Sequence, residues 1–101
     1  MLAELSITLL GRGTQLSGDL GRILKIIEES GIRSRLTPSG TCVEGEWDEV
    51  MDLVKKCHRE ARSFCTYVLT TVRIEDESGA NDKLNENISS LERAVGHQLK
   101  H

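Results

Sequence analysis

Apolar and polar residues alternate through residues 2–10, with Ala3, Leu5, Ile7 and Leu9 on one side and Glu4, Ser6, Thr8 and Leu10 on the other. A period of two predicts a half-buried strand. Gly11-Arg12-Gly13-Thr14 ends it as a loop. Over residues 19–30 the period lengthens: Leu20, Ile23, Leu24 and Ile27 make one helical stripe, and Gly31 follows as a C-cap. Residues 32–36 form a second short strand, stopped by Pro38-Ser39-Gly40, and residues 41–45 a third. So short a Pro/Gly connection predicts a hairpin.

The second helix is written in Trp47, Val50, Met51, Val54, Cys57 and Ala61, which recur at helical spacing. On this pattern Trp47 falls in the core at the first turn. Glu46, Asp48, Glu49 and Asp52 crowd the start, whereas Lys55, Lys56, Arg59 and Arg62 follow toward the end, as the helix dipole prefers. Solvation and dipole compensation account for these charges without an active site. Residues 64–74 predict a fourth strand with Tyr67 and Leu69 on one face and Val68, Val72 and Ile74 on the other. Apolar residues on both faces require cover on both, and the same sheet in a second copy is the simplest cover. After a loop at residues 78–81, Leu84, Ile88, Leu91 and Val95 predict a third helix. The order β-α-β-β-α-β plus a C-terminal helix predicts an α+β, ferredoxin-like sandwich with a four-stranded antiparallel sheet.

Composition narrows the class. The 101 residues suit one domain, 1–101, and 38% hydrophobic with 29% charged residues is the balance of a folded chain. A net charge of −3 leaves no electrostatic footprint for nucleic acid. No apolar run approaches the roughly 20 residues of a membrane span. Met1-Leu2-Ala3-Glu4 lacks the basic end and apolar stretch of a signal peptide, so the expected location is cytoplasmic. Cys42, Cys57 and Cys65 are odd in number and spaced unlike a disulfide framework or a metal pair, which predicts reduced thiols. Adjacent Cys57 and His58 point to different sides of a helix and make neither a chelate nor a dyad. His97 and His101, at i and i+4, fall at a solvated end. Without a nucleophile–base pair, phosphate loop or metal cluster, the chain is not expected to be an enzyme or to carry a resident cofactor.

Candidate chemistry concentrates in residues 37–51, Thr-Pro-Ser-Gly-Thr-Cys-Val-Glu-Gly-Glu-Trp-Asp-Glu-Val-Met. A polar turn feeds a short strand, and the strand meets a helix start where Glu44 and Glu46 flank an indole. Such a junction suits a small molecule, and its carboxylates favour a cationic one. Scaffolding is the competing reading.

From Ser39 to Met51 the run resembles the signature of the small thiamine-binding proteins of the YkoF-like superfamily, Thr-x-aliphatic-Glu-Gly-(acid or Pro)-aromatic-acid-acid before the second helix. Leu9-Leu10-Gly11-Arg12-Gly13-Thr14 and Thr70-Thr71-Val72-Arg73-Ile74-Glu75-Asp76 also resemble that family, so the likeness spans the chain. The resemblance implies a ferredoxin-like subunit that pairs its sheets into homodimers and commonly homotetramers. It further implies non-catalytic binding of thiamine, or its hydroxymethylpyrimidine part, near a subunit interface. Glu77 stands where family members often carry an Arg.

On that reading the ligand-binding candidates are Thr8, Ser39, Thr41, Glu44, Glu46, Trp47 and Arg73. Ser39 and Thr41 offer hydroxyls to a pyrimidine edge. Trp47 could stack on the ligand instead of entering the core. If Val43 packs under the helices, parity turns Glu44 to the opposite face, where a buried carboxylate needs a partner. A cationic ligand, Arg73, Arg33 or Arg35 could each serve. The alternative function is a structural or regulatory homo-oligomer with a vestigial pocket.

Overall fold

In the computed structural model the described residues are 1–11, 16–79, 82–85 and 96, without the side chains of 16 and 17. Six elements follow in order: β1 (Leu2–Leu9), α1 (Leu16–Glu29), β2 (Arg33–Thr37), β3 (Gly40–Glu44), α2 (Trp47–Phe64) and β4 (Val68–Glu75). They build a four-stranded sheet in the order β2-β3-β1-β4 with every neighbouring pair antiparallel. This is the ferredoxin-like α+β fold. Residues 83–85 are helical, and the rest of the predicted third helix lies outside the described residues, as do His97 and His101.

Strand parity sorts the sheet into two faces. Ala3, Leu5 and Leu9 of β1 and Val43 of β3 are buried and share the core with Val50, Leu53, Val54, Cys57 and Ala61 of α2 and with Ile23 and Ile27 of α1. Burying one such aliphatic side chain contributes about 1.5–3 kcal/mol, so this shared layer holds both helices on the sheet. Arg22 of α1 adds a tie between the helices. It meets Glu60 at 2.6 Å and lies over the Phe64 ring, 4.4 Å from its centroid.

Three details depart from the sequence pattern. Trp47 is 54% exposed, because it is the first helical residue and lies a turn before the packed stripe begins at Val50. Leu53, absent from the predicted stripe, is almost fully buried. Phe64 ends α2 and does not open β4; the Cys65 amide still bonds to the Ala61 carbonyl, and the strand starts at Val68. The expected Gly31 cap is present, and α2 has a further cap at Glu46 that the sequence pattern did not single out. Gly31 has φ of 75°, and the Glu46 amide donates to the Glu49 carboxylate at 3.0 Å.

Candidate functional site: a cavity between helix α1 and the β2–β3 hairpin

The hairpin turns at Pro38-Ser39 between the paired residues Thr37 and Gly40. The Thr37 hydroxyl donates to the Gly40 carbonyl and accepts from the Gly40 amide, at 3.0 and 3.1 Å, which fixes the turn. Glycine is required at position 40, since a Cβ there would lie 2.5 Å from the Leu5 carbonyl oxygen. The hairpin thus presses against the middle of β1.

Above that contact lies a cavity of about 230 Å³. Leu20, Ile23, Leu24 and Ile27 of α1 form one wall, residues 36–41 the other, and residues 5–7 the floor. No charged side chain lines it among the described residues. Thr41 is only 6% exposed as a residue; its hydroxyl bonds to no described residue and is open to the cavity, since no buried side-chain polar atom among the described residues lacks a partner. A hydroxyl open to an otherwise apolar cavity offers a ligand one donor and an acceptor at a fixed place.

The seven candidates fall in three places. Ser39 and Thr41 line the cavity together. Thr8, Glu44 and Arg73 belong to the opposite sheet face, as their parity against Ala3, Val43 and Ile74 shows. There Arg73 borders a hollow of about 30 Å³ with Leu2, Glu4, Cys42 and Glu75, room for about one water. Glu46 and Trp47 stand exposed at the start of α2. One subunit therefore does not gather the seven at a single point.

Glu44 is 6% exposed and fully engaged. Its carboxylate accepts the Lys83 amide at 2.7 Å and the Leu84 amide at 3.1 Å, with Arg33 Nη1 at 3.5 Å. It therefore caps the helical turn at residues 83–85, where the helix dipole favours an anion. Arg33 also pairs with Asp82, while Arg35 donates to the Leu84 carbonyl at 3.3 Å and to Asn85 at 2.7 Å. Of the three candidate arginines, Arg33 is the one beside Glu44. Glu77, the departure from the family pattern, pairs with Lys83 at 2.5 Å, and that hydrogen bond holds its carboxyl below the usual range. Residues 82–85 are thus strapped over the β2–β3 corner. Sequence reasoning missed this role; the capping partner lies 39 positions away from Glu44, beyond any local signal.

The thiols fit the reading of reduced cysteines: all three are free, with Cys57 and Cys65 buried. Burial pushes the Cys57 thiol up to about 11. His58 turns away from it, its Nδ1 hydrogen-bonded to the Thr70 hydroxyl at 2.6 Å. Among the described residues no cluster of three metal-ligating side chains forms, and no helix is long and apolar enough to cross a membrane.

Fold and cavity together define a ferredoxin-like α+β sandwich with a mixed hydroxyl and apolar recess beside its hairpin. Residues 3–92 match the family model described as Thiamine-binding protein, and the chain belongs to that family. It is similar to UPF0045 protein sll0230 of Synechocystis, 25% identical over 93 residues, or 91% of this chain and 77% of the relative. Among solved structures, Thermotoga maritima TM0486, whose suggested role is thiamine biosynthesis or salvage, aligns with a TM-score of 0.78 at 24% identity, over 89% of this chain and 96% of that one. The Methanocaldococcus jannaschii protein MJ1052 aligns at 0.77 and 22% identity over 94% of both chains. Likeness at these identities shows the fold.

Proposed function

We propose that this protein binds thiamine or its hydroxymethylpyrimidine part, without transforming it, in the cavity between α1 and the β2–β3 hairpin. The observation that carries the reading is Thr41, a residue only 6% exposed whose hydroxyl opens onto an otherwise apolar cavity in a member of this family. Drug-sized ligands need about 300 Å³ or more, so the smaller volume suits one substituted ring. The pyrimidine enters and the thiazolium stays at the mouth, between the partly exposed Leu24 and Leu36. Ser39 and Thr41 are the contacts. The lining supplies hydroxyls and apolar walls, which hold a ring, and the bound vitamin is ligand and not cofactor.

Of the remaining candidates, Thr8 and Arg73 lie on the open sheet face that serves the assembly on this reading, whereas Glu44 supports the strap. Leu10, Tyr67 and Leu69 are exposed on the open face beside Thr8, at the end away from the strap. A second copy covers them, giving a homodimer or homotetramer with the cavity near the contact, in the cytoplasm and without nucleic-acid or membrane partners. The same apolar face supports the alternative of a structural or regulatory oligomer whose pocket is vestigial.

Calorimetry with thiamine and with 4-amino-5-hydroxymethyl-2-methylpyrimidine decides between them. Both bind with affinities within a few-fold, because no charged side chain among the described residues meets the thiazolium. Thr41→Val, equal in volume, weakens both by roughly threefold to tenfold, the worth of one neutral hydrogen bond. No heat from either compound leaves the oligomer reading standing.

A further inference from the structure

We infer that the main chain of Ile7, left unpaired where β3 stops short, reads the edge of the bound ring. It thereby sets the ligand class: a planar heteroaromatic with a ring-nitrogen acceptor beside an exocyclic amino donor. The inference rests on the cavity being the pyrimidine site.

The direction of each backbone group follows from three hydrogen bonds. Met1 and Gly45 bond reciprocally, each at 3.1 Å, so the odd residues of β1 turn their N–H and C=O toward β3. The Leu10 amide donates to the Tyr67 carbonyl at 3.1 Å, so the even residues turn toward β4. The β1–β3 ladder ends at Leu5 opposite Thr41, while β1 continues to Leu9. Continuing that register would set Ile7 opposite Ser39, but Ser39 has already left the strand for the turn. No hydrogen bond joins the two among the described residues. Both line the cavity.

Ile7 thus presents a donor and an acceptor side by side, aimed at the gap that a longer β3 would fill. Unpaired strand edges of this kind capture whatever repeats the missing pattern. A strand residue would answer with its own C=O and N–H. A 4-aminopyrimidine answers with the same pair: its ring N3 accepts from the Ile7 N–H, and its 4-amino group donates to the Ile7 C=O. The ring therefore enters edge-on, in place of the absent strand residue, with Thr41 one ladder step away.

Amide hydrogen exchange and calorimetry on the full chain test this, with 4-amino-5-hydroxymethyl-2-methylpyrimidine and its analogue carrying C–H in place of N3. In the free protein the Ile7 amide exchanges much faster than those of Ala3 and Leu5. Saturating pyrimidine slows it at least about tenfold, and the C–H analogue binds about tenfold more weakly, the worth of one hydrogen bond. If the pyrimidine binds but Ile7 exchange is unchanged, or the analogue binds equally, the main-chain reading falls while the pyrimidine site survives. An Ile7 amide already as protected as Leu5 in the free protein also overturns it. Absence of any pyrimidine binding removes both.

Discussion

Replacing Glu44 by Gln separates support of the strap from binding in the cavity. The carboxylate accepts two main-chain amides, at 2.7 and 3.1 Å, on the sheet face opposite Thr41. Gln keeps one oxygen for one amide and turns an NH₂ toward the other. One charged hydrogen bond is lost, about 1.5–3 kcal/mol. Arg33 retains Asp82, so the second cation partner is not stranded. The loss falls on residues 82–85 and not on the core, so local opening rises before global unfolding does. Exchange of the Lys83 and Leu84 amides, read by NMR, should accelerate by roughly 10-fold to 150-fold. The urea midpoint should move little, and the affinity for the pyrimidine should stay within twofold. Unchanged exchange at both amides would refute the capping role. Loss of pyrimidine binding in a folded Glu44→Gln protein would return Glu44 to the ligand and refute the division between the faces.

Gly40→Ala should cost about 2–3 kcal/mol in urea unfolding, since the new Cβ meets main chain that cannot swing aside, whereas Gly21→Ala, with nothing within 4 Å in mid-helix, should gain about 0.5–1 kcal/mol; equal effects would contradict the close approach. Stability should fall above pH 9. The unfolded thiol ionises near its ordinary value while Cys57 stays protonated up to about 11 in the fold, so its contribution is complete below pH 9 and is lost as pH rises to about 11. The slope is at most about 1.4 kcal/mol per unit, and a Cys57→Ala protein with the same alkaline slope would disprove the assignment. Leu69→Glu, on the exposed open face, should convert a sedimenting oligomer to a folded monomer; a wild type already monomeric at micromolar concentration would end the assembly proposal.

Much of this architecture was legible because period and parity act locally. The alternation of Ala3, Leu5 and Leu9 and the parity of Val43 against Glu44 both hold in the structure. The α2–β4 boundary slipped because Phe64 and Cys65 suit either element by type, and helix packing through Ala61 decides between them. Trp47 reads as core from spacing alone, since spacing does not tell where the packed stripe stops. The candidate site was half legible. Ser39 and Thr41 stand out as hydroxyls at a turn, but the gap beside Ile7 arises from the unequal reach of two strands.

That unequal reach has a consequence for how the recess could be lost. The notch beside β1 exists because the hairpin reverses at Pro38-Ser39, level with the middle of β1. Lengthening each hairpin arm by two residues would carry β3 up to Ile7 and zip the ladder shut, with every existing side chain retained. Chain length at one reversal, not the identity of any lining residue, therefore decides whether this sheet is notched or whole. A survey of point substitutions would pass over that determinant, whereas a single insertion would expose it.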